Sequence, residues 1–256
     1  MEIGLLILGL AAGILSGLFG IGGGVIMVPT LIALFGLEIL DANATSLAAM
    51  LLPVGILGVV SYYKAGFINI KESLLISAGL FLGSFVGAEF AINVSEQLLS
   101  KLYAAFLLYV ALDYFDIKRF FGKNKAAAPE NTETIRRALW TYILVGLGAG
   151  VVAGLFGKGG GLIIVPVLIK IYRYSPKAAA ATSLAALQLP VGLPSVVVYA
   201  QNGHFNFTYA ALIATGMVAG TLLGTKIGIK LPGSYFKKIY AFFLLAVSVY
   251  MVVKYL

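Results

Sequence analysis

The residues best suited to chemistry in this sequence are two glycine clusters, Gly20-Ile21-Gly22-Gly23-Gly24 and Gly157-Lys158-Gly159-Gly160-Gly161. Three glycines in a row harm a helix more than close helix packing requires, at about 1 kcal/mol each relative to alanine. The chain is therefore expected to leave the helix at both places and to expose backbone N–H groups, with no side chain to keep a solute away. Unpaired amides favour anions. Helical arms beginning near Val25 and Leu162 bring their positive dipole ends to the same spots. Gly22, Gly23, Gly24, Gly159, Gly160 and Gly161 are thus candidate anion ligands. The same glycines could instead serve only tight helix crossing. A nucleotide phosphate loop is excluded, because Lys158 is followed by Gly159 and not by Ser or Thr.

Hydroxyls recur in the same way. Ala44-Thr45-Ser46 and Ala181-Thr182-Ser183 place Thr45, Ser46, Thr182 and Ser183 near expected helix starts, with Pro53 and Pro190 eight residues beyond each threonine. Such hydroxyls can donate to anion oxygens, or can cap a helix or bond back to the preceding turn. The prolines are expected to kink helices and free carbonyls that line a cavity. Gln188 adds an amide donor where the matching position holds only Leu51. A single histidine, His204, and the absence of cysteine leave no multi-His centre, no thiolate metal site and no disulfide, so no metal or cofactor is expected. No Ser/His/Asp grouping or carboxylate pair falls at a convincing membrane depth, which argues against an enzyme and leaves no catalytic residue to name. Ser46 or Ser183 as a nucleophile would lack a base.

The elements that hold these residues are membrane helices. Of 256 residues 61% are hydrophobic and 11% charged, where soluble domains carry about 25% charged residues. Mean hydropathy is +1.01, and apolar runs of spanning length recur throughout, so the chain reads as an all-α polytopic membrane protein. The net charge of +8 reflects Lys and Arg concentrated in cytoplasmic loops, not a nucleic-acid partner. Membrane lipid is the expected environment, and glycine-rich outer faces permit a homodimer without requiring one. Residues 3–19 resemble a signal peptide only superficially, since Glu2 replaces the basic leader and the segment has a counterpart at 140–156; it is expected to be retained.

That counterpart is part of a duplication. GLFGIGGGVIMVP from Gly17 recurs as GLFGKGGGLIIVP from Gly154, and ATSLAAMLLPVG from Ala44 recurs as ATSLAALQLPVG from Ala181, both 137 residues further on. The same offset pairs Tyr62 with Tyr199, Gly66 with Gly203, Asn69 with Asn206, and Gly79, Gly83 and Gly87 with Gly216, Gly220 and Gly224. Two homologous halves follow, 1–115 and 138–256, joined by a polar linker at 116–137. Each half is expected to hold a Gly-broken hairpin plus three transmembrane helices. In the first half these lie at about 3–36, 42–63 (broken by Pro53), 72–92 and 97–115; in the second at about 138–172, 178–200, 209–229 and 235–255.

Loop charges orient the halves. Lys64 and Lys71 correspond to a basic-free stretch at 201–207, whereas Glu38 and Asp41 correspond to Lys170, Arg173 and Lys177. Equivalent loops therefore lie on opposite sides, as in inverted-topology repeats. Segments 64–71, 116–137, 170–177 and 226–238 fall in the cytoplasm, making the linker cytoplasmic and both termini external, in a multi-pass protein of the cell (plasma) membrane. Lys101 and Lys254 are left outside, and Lys158 is left within the membrane. A charge there costs about 3 kcal/mol or more, and Glu89 and Asp113 fall near helix ends, so a bound anion is its expected partner; snorkelling to the surface is the alternative. His204 falls in an outer loop, and Tyr62, Tyr103, Tyr199 and Tyr240 near helix ends are expected as interfacial anchors. The two hairpins enter from opposite faces, and their glycine tips are expected to meet.

The doubled GLFGxGGG, VP and ATS pattern resembles the sulfite exporter TauE/SafE family over nearly the whole chain, the linker excepted. AlaThrSer stands where that family often has GlyThrSer, and Lys158 where a small or apolar residue is common. The resemblance implies a secondary transporter (permease) of small sulfur-containing or organic anions such as sulfite, thiosulfate, sulfoacetate or other organosulfonates, working by alternating access. A passive anion channel is the alternative that shares composition and charge.

Overall fold

The computed structural model describes residues 1–114, 138–157 and 160–231, together with Phe242 and Val249. The linker at 116–137, Tyr240 and nearly all of the helix expected at 235–255 lie outside the described residues. Among those described, the structure is helical without strands. The first half forms α1 (Glu2–Phe19), α2 (Gly24–Phe35), α3 (Ile39–Ala49), α4 (Ile56–Lys64), α5 (Ile70–Ile92) and α6 (Glu96–Tyr114). The second forms α7 (Leu139–Phe156), α8 (Gly161–Lys170), α9 (Pro176–Ala186), α10 (Leu193–Gln201) and α11 (Phe207–Lys230). Both hairpins break at their glycines, and both middle helices break before a proline. Asn69 and Asn206 explain their own repetition, since their side chains accept the backbone N–H of Glu72 and Tyr209 and so start α5 and α11.

Among the described residues four helices are long and apolar enough to cross a membrane: α1, α5, α7 and α11. They form two pairs, each joining the first long helix of one half to the second long helix of the other. On α1, Gly9, Gly13 and Gly17 lie against the backbone of Ile213, Met217 and Thr221, while Gly216, Gly220 and Gly224 of α11 lie against Leu6, Leu10 and Ile14. On α5, Gly79, Gly83 and Gly87 meet Ile143, Leu147 and Val151, and Gly146, Gly150 and Gly154 of α7 meet Ile76, Leu80 and Ser84. Numbers rise together along both seams, so each pair is parallel. A glycine every fourth residue presents one bare stripe, and backbones in contact along it replace the hydrophobic drive that lipid removes.

The breaks in the middle helices are held unequally. Pro190 has no N–H to give the carbonyl four residues back, and Ser77 of α5 supplies a hydroxyl to that Ala186 oxygen at 2.7 Å. Ser73 donates to Thr182 O at 3.2 Å and Ser84 to Val191 O at 2.8 Å, while Ser195 returns a hydroxyl to Ser84 O at 2.7 Å. At the matching positions of α11 stand Ala210 and Ala214, which donate nothing, and Thr221, whose hydroxyl is buried without a partner among the described residues. Replacing Ser77 by alanine, the residue α11 already tolerates, should leave the Ala186 carbonyl unpaired and lower stability by about 1–3 kcal/mol. The check is a thermal unfolding midpoint in detergent, compared with half-buried Ser61→Ala.

Candidate functional site

Each hairpin turns on glycine for a geometric reason. α1 ends at Gly20 in the left-handed conformation, φ 65°, with its N–H returned to Ser16 O, and α7 ends at Gly157 in the same way, its N–H returned to Ala153 O. The chain re-enters helix at Gly24 and Gly161, and neither new helix is capped by a side chain. Among the described residues the first N–H groups of α2 and α8 thus have no capping side chain to accept them, at the positive ends of two helix dipoles.

These turns come together, as the hairpin reading expects. A Cβ on Gly161 would run into Ile21 Cα and the Gly20 carbonyl, one on Gly20 into the Ala180 carbonyl of α9, and one on Gly157 into Asn43 of α3. Both glycine turns and both broken helices therefore share one place. Side-chain hydrogen bonds hold the carbonyl ends of α1 and α7. Tyr62 and Tyr199 donate to Gly17 O at 3.1 Å and Gly154 O at 2.7 Å, Ser183 to Gly20 O at 2.6 Å, and Asn43 Nδ2 to Leu155 O at 3.0 Å.

Gly22, Gly23, Gly24, Gly160 and Gly161 are buried in these turns, and of them Gly161 lies against the opposite turn. Lys158 and Gly159 lie outside the described residues. Thr45, Ser46, Thr182 and Ser183 lie in the C-terminal halves of α3 and α9 and not near helix starts, because both helices begin earlier than the apolar pattern indicates. They therefore cap nothing. Thr45 Oγ1, Ser46 Oγ and Thr182 Oγ1 are fully buried with no partner among the described residues, whereas Ser183 is committed to Gly20. Gln188 is committed at both ends: its Oε1 accepts the Gly55 N–H at 2.8 Å and its Nε2 donates to Leu184 O at 3.0 Å, tying one break to the other.

Three tyrosine expectations are corrected. Tyr62, Tyr103 and Tyr199 are not interfacial anchors but fully buried. Two of them find acceptors in carbonyls that the glycine turns leave exposed, and Tyr103 stacks on Phe156. His204 is in its surface loop, and its Nδ1 meets Asp41 Oδ1 at 2.8 Å. Asn43 was missed by sequence reasoning; the signal available was a polar residue where the other repeat has Ala180.

Long apolar helices seamed in pairs, enclosing two broken helices and a polar meeting point of two glycine turns, define the class of a multi-span membrane transporter. Residues 5–251 match the family described as sulfite exporter TauE/SafE, and the chain belongs to that family. It is 30% identical to a probable membrane transporter protein of Methanocaldococcus jannaschii, over 89% of this chain and 85% of the other. It is 27% identical to the probable membrane transporter protein YunE of Bacillus subtilis, over 89% and 88%. A probable membrane transporter protein of Haemophilus influenzae is 28% identical over 97% of both chains. No solved structure matches.

Proposed function

We propose that this protein is a secondary transporter of small sulfur-containing or organic anions, such as sulfite, thiosulfate or organosulfonates, working by alternating access between two inverted-topology repeats. The observation that carries the reading is the meeting of two glycine turns, each opening a helix with no side-chain cap, beside buried hydroxyls that have no partner among the described residues. An anion oxygen supplies what those donors lack. In this reading Gly22, Gly23, Gly24, Gly159, Gly160 and Gly161 offer amides, and Thr45, Ser46 and Thr182 offer hydroxyls. Lys158 supplies the compensating charge, while Ser183 and Gln188 reach the anion only by exchanging a present bond for it.

The halves are 1–115 and 138–256, with the linker 116–137 cytoplasmic and the protein in the cell membrane. Side-chain contacts agree with this sidedness. Lys177 donates to Ile229 O at 2.8 Å and lies 5.8 Å from the Phe67 ring centre, joining three segments assigned to the cytoplasm by their charge. Asp41 and His204 join two segments assigned outside. The parallel seams agree too, since α1 and α11 then run inward while α5 and α7 run outward.

The test is counterflow in proteoliposomes, with labelled sulfite outside and unlabelled sulfite, thiosulfate, sulfoacetate, sulfate, phosphate or chloride inside. Saturable exchange restricted to sulfur oxyanions and sulfonates is expected. Single-channel conductance would replace the carrier by a channel, and no exchange in correctly inserted protein would remove the substrate class.

A further inference from the structure

The two broken helices are joined, where both are interrupted, by a side chain that the internal repeat does not duplicate. Gln188 follows α9, and its amide lies between the halves: Oε1 accepts the Gly55 N–H at 2.8 Å and Nε2 donates to Leu184 O at 3.0 Å. An N–H can only donate and a carbonyl can only accept, so the two bonds fix the amide in one orientation. Both partners are groups that the breaks leave over. The Gln188 N–H turns to Ala185 O instead of Leu184 O, and Gly55 stands just ahead of the first turn of α4. Glycine is needed for this approach, because a Cβ on Gly55 would come within 2.6 Å of Gln188 Nε2.

The helices so tied, α4 and α9, are the two that lead to segments assigned to the cytoplasm. Beyond the tie they pack directly, Tyr62 of α4 with Ala181 and Leu184 of α9. Toward the outside, α3 and α10 take their places, and the positions matching Leu184, Gln188 and Gly55 are Leu47, Leu51 and Gly192. A leucine cannot bridge an N–H to a carbonyl. A Cβ on Gly192 would meet Leu47 first, at an ordinary contact distance of 3.4 Å, and beside both residues lies a cavity of about 20 Å³, lined also by Met50, Ser84 and Leu187. We infer that Gln188 is the bolt of the cytoplasmic closure: α4 parts from α9 only when both of its hydrogen bonds are released, and the outer closure has leucine at the equivalent position. Gln188 is thus a positioning residue that sets which side opens more readily. The inference rests on the transporter reading for the existence of two openings and goes beyond it by naming the side chain that weights them. With leucine at position 188, the Gly55 N–H and Leu184 O lose their side-chain partner while the side is shut, whereas water reaches them once it opens, so the shut form alone is penalised.

The chain contains no cysteine, so one introduced thiol reports without background. Ala181→Cys on α9 and Ala44→Cys, its equivalent on α3, both replace residues that are 0% exposed, and each thiol meets a maleimide only when its own side opens. Labelling rates are measured on the purified full-length protein in detergent, where the reagent reaches both sides, without added substrate. Gln188→Leu is expected to raise the rate at Ala181→Cys about ten-fold, the weight of the lost hydrogen bonds, and to leave the rate at Ala44→Cys unchanged. Leu51→Gln places an amide beside Leu47 and Gly192 and should slow labelling at Ala44→Cys; it keeps the native bolt and serves if Gln188→Leu does not fold. Acceleration of both reporters by Gln188→Leu marks a general loosening and overturns the inference. Acceleration of neither does so too, even where the variant weakens anion binding, since Gln188 would then be a ligand. Where Gln188→Leu does not fold, an unchanged rate at Ala44→Cys in Leu51→Gln overturns it. Acceleration confined to Ala181→Cys, in a protein that gives no counterflow, upholds the bolt while removing the transport reading. Counterflow with both reporters accelerated equally does the reverse.

Discussion

Gly83→Ala should weaken the protein by about 3 kcal/mol or more, whereas Gly148→Ala, on the helix that Gly83 packs against, should be neutral or stabilising by up to about 1 kcal/mol. The chemical change is the same single methyl. At Gly83 the new Cβ would run into the Leu147 carbonyl and come within 2.9 Å of the Val151 nitrogen, both backbone atoms of α7 that cannot turn aside. At Gly148 nothing lies within 4 Å. Relief at Gly83 requires α5 and α7 to separate along the whole seam, because Gly79 and Gly87 above and below it sit equally close to the same helix. Membrane helices associate largely through van der Waals contact and interhelical hydrogen bonds, and both fade as the backbones part. Ser84 draws Val191 toward α5, so the opening would also disturb the second break. Unfolding in a denaturing detergent titration, for both variants beside wild type, separates the effects: Gly83→Ala shifts the midpoint strongly and Gly148→Ala does not shift it downward. Equal shifts would show that helix propensity, not the seam, governs stability.

Gly20→Ala carries the second large effect, and its proper control is Gly36→Ala. Both glycines are helix C-caps in the left-handed region, at φ 65° and 70°, where a side chain costs about 1–2 kcal/mol. They differ in surroundings. A Cβ at Gly36 meets nothing within 4 Å, while one at Gly20 runs into the Ala180 carbonyl. Gly36→Ala should therefore cost the backbone strain alone and leave solute exchange intact. Gly20→Ala adds a backbone collision that pushes the first turn off α9, breaks the Ser183 bond to Gly20 O and parts Gly20 and Ile21 from Gly161. Counterflow should fall by more than ten-fold in protein that still inserts, with a midpoint loss exceeding that of Gly36→Ala. Matching behaviour of the two variants would mean that the turn contributes strain and no site.

Much of this architecture is legible in the residues because the chain states it twice. Helix ends fall within a few residues of the apolar pattern, and the glycine turns and proline breaks lie where the repeats put them. The offset of 137 residues, however, names equivalent positions and not neighbours. It relates Gly83 to Gly220, yet Gly83 lies against Leu147 and Gly220 against Leu10, because a bare stripe on one helix carries no label for its partner. Tyr62 and Tyr199 mislead for a related reason. Position near a helix end suggests an interface, but a phenol can be buried wherever a broken helix offers a carbonyl, and two glycine turns offer one each. Asn43 escapes because repetition directs attention to what both halves share, and its weight lies in what only one of them has. The serine set of α5 is hidden in the same way, visible only once Ala186 is seen to have lost the N–H of Pro190.

The crossed pairing of α1 with α11 and α5 with α7 also governs how the protein must be made. α1 leaves the ribosome before α11, with Gly9, Gly13 and Gly17 bare until the backbone that covers them is made, on the far side of the linker. α5 waits for α7 across the linker. Until those helices arrive, neither glycine stripe of the first half has anything but lipid or the insertion machinery against it. A ribosome stalled after the first half would hold two helices whose mates have not been synthesised, and assembly is timed by the making of the second half.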